Sequence, residues 1–399
     1  MALLNSLLNG LIVLPWWGYI VLCLALTHIT IVGVTVYLHR YSAHRALDLH
    51  PAVCHFFRFW LWMTTGQTTK AWTAIHRKHH ARCETEEDPH SPQILGIKKV
   101  MWQGAELYRA EAKNQDTLDR FGSGTPDDFM EKFYAKHHTH GVALMLIIDL
   151  ILFGTMGLTV WAVQMMWIPL FAAGIINGVA HYWGYRNYAC EDASRNLIPW
   201  GIFIGGEELH NNHHAYGTSA KFSTKWYEFD IGWVYIRALA FLGLAKVKKI
   251  APMVRFTEAK AACDSETLEA IITHRYEVLN NYRRALQRTC AEEFANLKQR
   301  IPSLSTISDS GVFRALKHWL HLEPDALTAP DREKFNTVMS SSAVLKTIYS
   351  MRQELDSIWG RSNATREQLV KQLEDWCHRA EVSGITPLKD FSRRLRCYA

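Results

Sequence analysis

Aspartate, glutamate, lysine and arginine are absent from residues 1–38, and the 44 residues from His137 to Ala180 contain only Asp149. Two such tracts exclude a single soluble globule, in which charge is spread along the whole chain. There are too few long apolar runs for a transporter with many spans. The eight cysteines (Cys23, Cys54, Cys83, Cys190, Cys263, Cys290, Cys377 and Cys397) lack C-x-x-C or C-x-x-C-H spacing. They give no sign of a disulfide framework, and a reducing compartment is expected. There is no cytochrome b5 haem motif, no iron–sulfur cysteine pattern and no G-x-G-x-x-G after a strand, so any electrons must come from another protein. The net charge of +6 is not gathered into a block. It implies at most a membrane-facing bias, with no nucleic-acid partner expected.

What is present divides the chain. Residues 11–38 form one apolar stretch broken early by Pro15, Trp16 and Trp17, enough for one span with tryptophans at its outer end. It lacks the basic start of a cleavable signal and is too long for one, so it is expected to stay as an anchor. Residues 141–180, with Gly154 and Gly157 near the middle, read as two antiparallel spans, 141–157 and 158–180. Residues 51–69 and 233–246 read as interfacial segments. Arg40 and Arg45 follow the first span, which places that end, and both ends of the hairpin, in the cytoplasm. From Phe256 onward, 40 of 144 residues are charged, the density of an ordinary soluble helical domain. The expected fold is mostly α: a membrane-embedded helical domain over 1–250, with its histidine-rich part cytosolic, and a soluble helical extension over 251–399. Breaks in that extension are expected at Ile301–Ser310, Glu323–Asp331 and Ser383–Pro387.

Of 20 histidines, 16 precede residue 250, and they cluster. His39-Arg-Tyr-Ser-Ala-His44 lies where the first span leaves the membrane. His76-Arg-Lys-His79-His80 follows the 51–69 segment, and His210-Asn-Asn-His213-His214 lies between the hairpin and the second interfacial segment. On a helix, the histidines of H-x-x-H-H at i, i+3 and i+4 share a face. Asn177 and His181 are also i and i+4, so an amide and an imidazole can enter one site. Nine imidazoles exceed the needs of one metal, since zinc sites close at four ligands and iron sites at about five or six. Two metals fit the count. The clusters contain no carboxylate of the kind that bridges dimetal hydrolases, although Glu207 and Glu208 lie just before His210.

The three boxes, the order of the apolar segments, Asn177-Gly-Val-Ala-His181, Trp183-Gly-Tyr-Arg186 and Gly205-Gly-Glu-Glu-Leu-His-Asn-Asn-His-His214 resemble the membrane fatty-acid desaturases of the acyl-CoA (stearoyl-type) branch, bacterial members included. The resemblance covers roughly residues 20–250. It implies an O2-dependent diiron enzyme that places a cis double bond, Δ9 by family, in saturated C16/C18 acyl chains and reduces O2 to water. It also implies a ligand set. One Fe2+ would take His39, His44, His80 and His214, with Asn177 holding its water; the other would take His76, His79, His181, His210 and His213. Electrons would come from a ferredoxin- or cytochrome-type protein and an NAD(P)H-dependent reductase. The expected location is the bacterial inner membrane, multi-pass, with the active site facing the cytoplasm.

Two departures from the family pattern bear on this reading. Animal members have a charged Arg-Asp pair just before the second box, where this chain has Ala74-Ile75, which favours a phospholipid-linked acyl chain over acyl-CoA. The tail has no counterpart in the animal enzymes, and Leu373-Glu-Asp-Trp376 with Ala380-Glu-Val-Ser-Gly-Ile385 resembles the C-terminal helices of some transposases. Two other functions fit histidine boxes: a membrane diiron hydroxylase or alkane monooxygenase, and a non-catalytic membrane metal-binding protein. A transport pathway would instead place polar residues within the spans.

Overall fold

The computed structural model describes residues 8–301, 329–360 and 363–399, most of them helical. It divides into two compact units, Met1–Ala251 and Pro252–Ala399.

In the first unit, Pro15 stands at the N-cap of a helix over Trp16–Val32, where its missing N–H costs nothing. The helix runs on as a π-helix over Gly33–Ala43. A sharp corner follows, and Leu47–Leu49 pairs antiparallel with Ala245–Val247. The Pro51–Thr65 helix starts with the His50 ring accepting from Ala52 N–H and stops at Gly66, whose φ of 65° suits glycine. Thr68 caps the next helix, Thr69–Arg82. Among the described residues two helices are long and apolar enough to cross a membrane, Trp16–Ala43 and Thr155–His181.

The boundaries differ from expectation in ways the backbone explains. The hairpin turns at Gly154, not at residues 157 and 158: φ 57° and ψ −137° there suit glycine, and Gly157 is needed instead where Asp149 O packs against its Cα. Its first arm, His138–Phe153, has 16 residues and is short of the roughly 20 that a span requires. The arms are tied by Trp161 Nε1–H donating to Val142 O at 3.1 Å and Gln164 Nε2–H to the buried Asp149 at 2.8 Å. The segment expected as one helix over 233–246 is a helix only over Ile231–Phe241; Gly243 turns the chain at φ 71°, and the remainder becomes the Ala245–Val247 strand. The core beneath the histidines includes Val36, Tyr37, Leu38, Leu47, Phe57, Leu61 and Ile236.

The second unit is helical: Ser265–Thr273, Arg275–Arg300, Ala329–Ser341, Ala343–Ile358, Arg366–Val382 and Thr386–Leu395 among the described residues. Its core centres on Trp376, Phe294, Leu355, Leu373 and Leu388. The Trp376 indole N–H donates to Met351 O at 2.7 Å, so the largest buried ring carries no unmet donor. Of the expected breaks, Ser383–Pro387 falls at the turn between Val382 and Thr386. Those at 301–310 and 323–331 lie almost wholly outside the described residues.

Candidate metal centre

Three local structures aim the boxes inward. His39 and His44 are five residues apart, which on an α-helix leaves them about 140° apart. The Gly33–Ala43 segment is instead π-helical, with His44 N–H donating to His39 O at 3.0 Å, so a spacing of five is one turn and the rings meet at 5.0 Å. A second π-helical stretch, Pro169–Ile176, ends at Asn177 and leads into His181. The His210–Ala215 helix is only six residues long and is held by its two asparagines. Asn211 Oδ1 accepts the N–H groups of Asn187 and Tyr188, both at 2.9 Å, and Asn212 Nδ2 donates to Phe222 O and Glu228 Oε2 at 3.0 and 2.7 Å.

The nine box histidines form two adjoining groups. The ligand atoms of His39, His44, His76, His80 and His213 all lie within 4.8 Å of one another, as do those of His79, His181, His210 and His214. This grouping differs from the split implied by resemblance. His76 and His213 join His39, and His214 joins His79, because His44 Nε2 is 2.8 Å from His76 Nε2 while His213 Nε2 sits 3.0 Å from His39 Nε2 and 2.9 Å from His80 Nε2. Asn177 is half-buried at the end of its π-helix, with its backbone N–H on Ala172 O, four residues before His181.

The outer nitrogens explain the orientation. His39 Nδ1 is 2.8 Å from Glu207 Oε1, His79 Nδ1 is 3.0 Å from Asp88 Oδ1, His181 Nδ1 is 3.0 Å from Glu84 Oε1, and His214 Nδ1 is 2.9 Å from Asp192 Oδ2. A carboxylate can only accept, so each ring donates its Nδ1–H outward and turns Nε2 inward. Burial would raise the Asp88 and Asp192 carboxyls, yet the facing His79 and His214 hold both well below the usual carboxylate range. Burial, and then the neighbouring imidazoles, holds His76, His80, His210 and His213 well below the ordinary histidine value. They are therefore neutral at pH 7, the form that binds metal.

Ring nitrogens of different histidines converge to 2.8–3.0 Å, so each group gathers several potential metal ligands at one point. The buried His214 Nε2 and the Nδ1 atoms of His210 and His213 have no hydrogen-bond partner, which is costly in a protein interior. The residues thus fit metal ions.

Several residues here were not foreseen from sequence. Glu84, Asp88 and Asp192 orient histidines, and Glu84 does so from a left-handed backbone at φ 62°, a strained conformation typical of functional loops. His90 packs against His79 at 4.4 Å. The acidic pair before His210 splits: Glu207 serves His39, while Glu208 accepts Ile204 N–H and Gly206 N–H and is pushed up to about 7 by burial. Arg40, read as a flanking charge that orients the span, is fully buried and paired with Asp230 through two 3.0 Å bonds. Ala74 and Ile75 are buried as well, so neither offers a surface to a head group.

A family model described as Fatty acid desaturase matches residues 14–240, more than half of the chain. The chain belongs to the fatty acid desaturase family. The family match takes in the whole histidine cluster. A Δ9 acyl-lipid desaturase of Arabidopsis thaliana is 28% identical over 223 residues, 55% of this chain and 71% of that protein. An sn-1 stearoyl-lipid 9-desaturase of Synechocystis is 29% identical over 224 residues, 55% of this chain and 68% of that protein. An icosanoyl-CoA 5-desaturase of Limnanthes douglasii is 28% identical over 235 residues, 58% and 65% of the two chains. The desaturase described here is a fatty-acyl desaturase and acts on fatty-acyl substrates. Its residues 264–399 match a second family model, described as Transposase, and that likeness is confined to the second unit.

Proposed function

We propose that this desaturase places a cis double bond at Δ9 of saturated C16/C18 acyl chains, using two irons and O2. The reading rests chiefly on nine imidazoles whose ring nitrogens converge in two groups, four of them backed by carboxylates, inside the family-matched region. When bound, the irons supply, with O2 and two electrons, an oxidant able to take hydrogen from an unactivated methylene, a task zinc cannot perform.

The chain's own residues do the rest. His39, His44, His76, His80 and His213 would hold one ion, and His79, His181, His210 and His214 the other, with Asn177 placing a water. Glu207, Asp88, Glu84 and Asp192 keep the rings in one tautomer. Trp72, stacked on His76 at 4.8 Å, and Phe222, 4.7 Å from His213, wall the centre with apolar rings that exclude water. Regiochemistry requires the acyl chain to be held so that a single methylene pair faces the metals.

The carrier we favour is a phospholipid. Ala74 and Ile75 supply no charge before the second box, and two of the relatives above are acyl-lipid or stearoyl-lipid desaturases. The apolar Trp16–Ala43 and Thr155–His181 helices are read as spanning the membrane, with the histidines at its cytoplasmic face. A separate ferredoxin- or cytochrome-type protein would deliver electrons.

Expression in a host fed saturated acids, followed by mass spectrometry of the lipids, tests the function. Monounsaturated products with the double bond at carbon 9 are expected; oxygenated products would select a hydroxylase, and unchanged lipids would remove the catalytic reading.

A further inference from the structure

Two thiols that the metal centre does not use meet in the second unit. Cys263 lies in the irregular segment just before the Ser265–Thr273 helix, and Cys377 lies on the Arg366–Val382 helix, 114 residues on. Their Sγ atoms are 3.8 Å apart, in contact and unbonded, and both residues are buried. The segment that carries Cys263 is pinned on both sides. Lys260 N–H donates to Arg396 O at 3.1 Å, Arg396 Nη1–H donates to Ala261 O at 3.2 Å, and Asp264 caps the following helix by accepting Thr267 N–H at 2.8 Å. Cys397, close by in sequence, instead turns its S–H to Arg393 O at 3.4 Å.

The two sulfurs are not equivalent. Donation from the Cys263 S–H, then Ser392 and the positive charge of Arg396, bring the Cys377 thiol below the ordinary cysteine value although burial opposes them. The same contact, and burial with it, raise Cys263. Arg396 is held in place by its ion pair with Glu381. One sulfur is thus prone to give up its proton and the other keeps it, which is what attack by one thiolate followed by closure from a second thiol requires.

We propose that Cys263 and Cys377 form a reversible oxidation site, closed to a disulfide by a peroxide and reopened by a dithiol. With hydrogen peroxide, the Cys377 thiolate attacks one oxygen and breaks the O–O bond, leaving Cys377 as a sulfenic acid while the departing hydroxide takes up the proton that Cys377 released and becomes water. The Cys263 sulfur then attacks the sulfenic sulfur. Its S–H proton leaves with the sulfenic hydroxyl as a second water, and the S–S bond forms. Two thiols and one peroxide give one disulfide and two waters. The bond brings the sulfurs from 3.8 Å to about 2.05 Å, a movement open to Cys263 because it stands outside any helix. In a reducing compartment such a bond is transient and reports an oxidant. It ties the start of the unit to the helix that carries the buried Trp376.

The test uses the purified full chain, reduced, freed of reductant and exposed to hydrogen peroxide for increasing times. Free thiols are then alkylated, and an unreduced digest is mapped by mass spectrometry. A peptide linking Cys263 to Cys377 is expected, forming at least about 10-fold faster than any oxidation of the buried Cys290 and lost on treatment with dithiothreitol. Cys290→Ser should still form the link. In Cys263→Ser the sulfenic acid at Cys377 should persist and be trapped by dimedone; if that variant does not fold, the unsubstituted chain decides alone. Cys263 and Cys377 that both stay open to alkylation after Cys397 has oxidised overturn the proposal. So does either one pairing with a different cysteine, or a link that appears only once the helical circular dichroism has been lost.

Discussion

His39 and Glu207, 168 residues apart in the chain, meet with Nδ1 2.8 Å from Oε1, and Thr35 Oγ1–H donates to the same oxygen at 2.6 Å. This contact joins the first apolar helix to the third histidine box and turns His39 Nε2 toward His213. Replacing Glu207 by Ala frees the ring to rotate and change tautomer. We expect a loss of about 10- to 100-fold in metal affinity, measured by competition with a chromogenic chelator. Unchanged affinity in Glu207→Ala would remove the positioning role.

The Arg40–Asp230 pair is structural. Both side chains are fully buried, the guanidinium lies over Phe222 at 3.7 Å, and it also donates to Gly205 O at 3.3 Å and to Thr35 Oγ1. Gly206 and Gly232 are glycines because a Cβ would enter the space of the Asp230 carboxylate at the first and of the Arg40 guanidinium at the second. Asp230→Ala leaves an unpaired buried charge and should cost about 3–5 kcal/mol. The expected result is a marked fall in the unfolding temperature of detergent-purified protein. A variant as stable as the parent would mean that the charge finds water.

The nine box histidines should behave as one unit. Replacing any of them by Ala should lower activity by at least about 10- to 100-fold, and Asn177→Ala should cost less, since its assigned partner is a water. His28 is a contrast: it hydrogen-bonds Tyr235 at 2.5 Å, away from the cluster, and His28→Ala should retain activity. Lipid analysis of cells expressing each variant at matched membrane levels would show it. Full activity in any one of the nine would strike that residue from the ligand set.

The boxes were legible because H-x-x-H-H declares its own geometry on a helix. His39 and His44 carried a signal that went unread: a spacing of five fits a π-helix, and few sequence cues announce one. Glu84, Asp88 and Asp192 were not found because a carboxylate partner is chosen by tertiary contact, and nothing in the local sequence sets Asp192 beside His214. Arg40 misled for a related reason, since a charge just after an apolar run looks the same whether it meets water or a buried aspartate 190 residues on. The division of the histidines into two groups was likewise out of reach: i, i+3 and i+4 place three rings on one face but do not say how that face is shared. Gly154, rather than Gly157, makes the turn because only there does the backbone adopt a positive φ.

Metal removal should destabilise the first unit measurably. Four rings are held by carboxylates through Nδ1, and His213 Nε2 lies 3.0 Å from His39 Nε2 and 2.9 Å from His80 Nε2. Without cations these buried ring nitrogens are left with too few partners, the His214 Nε2 and the Nδ1 atoms of His210 and His213 having none, a state the unfolded chain does not share. A ligand present at 1,000 times its dissociation constant stabilises the folded form by about 4 kcal/mol, and two such ions contribute separately. Chelator treatment, with metal loss verified by elemental analysis, should therefore lower the unfolding temperature followed by tryptophan fluorescence, and readdition of Fe2+ under anaerobic conditions should restore it. The shift should shrink in Asp88→Ala, where His79 is no longer fixed. Equal unfolding temperatures before and after verified metal loss would show that the cluster gains nothing from a cation, and the converging ring nitrogens would then need another explanation.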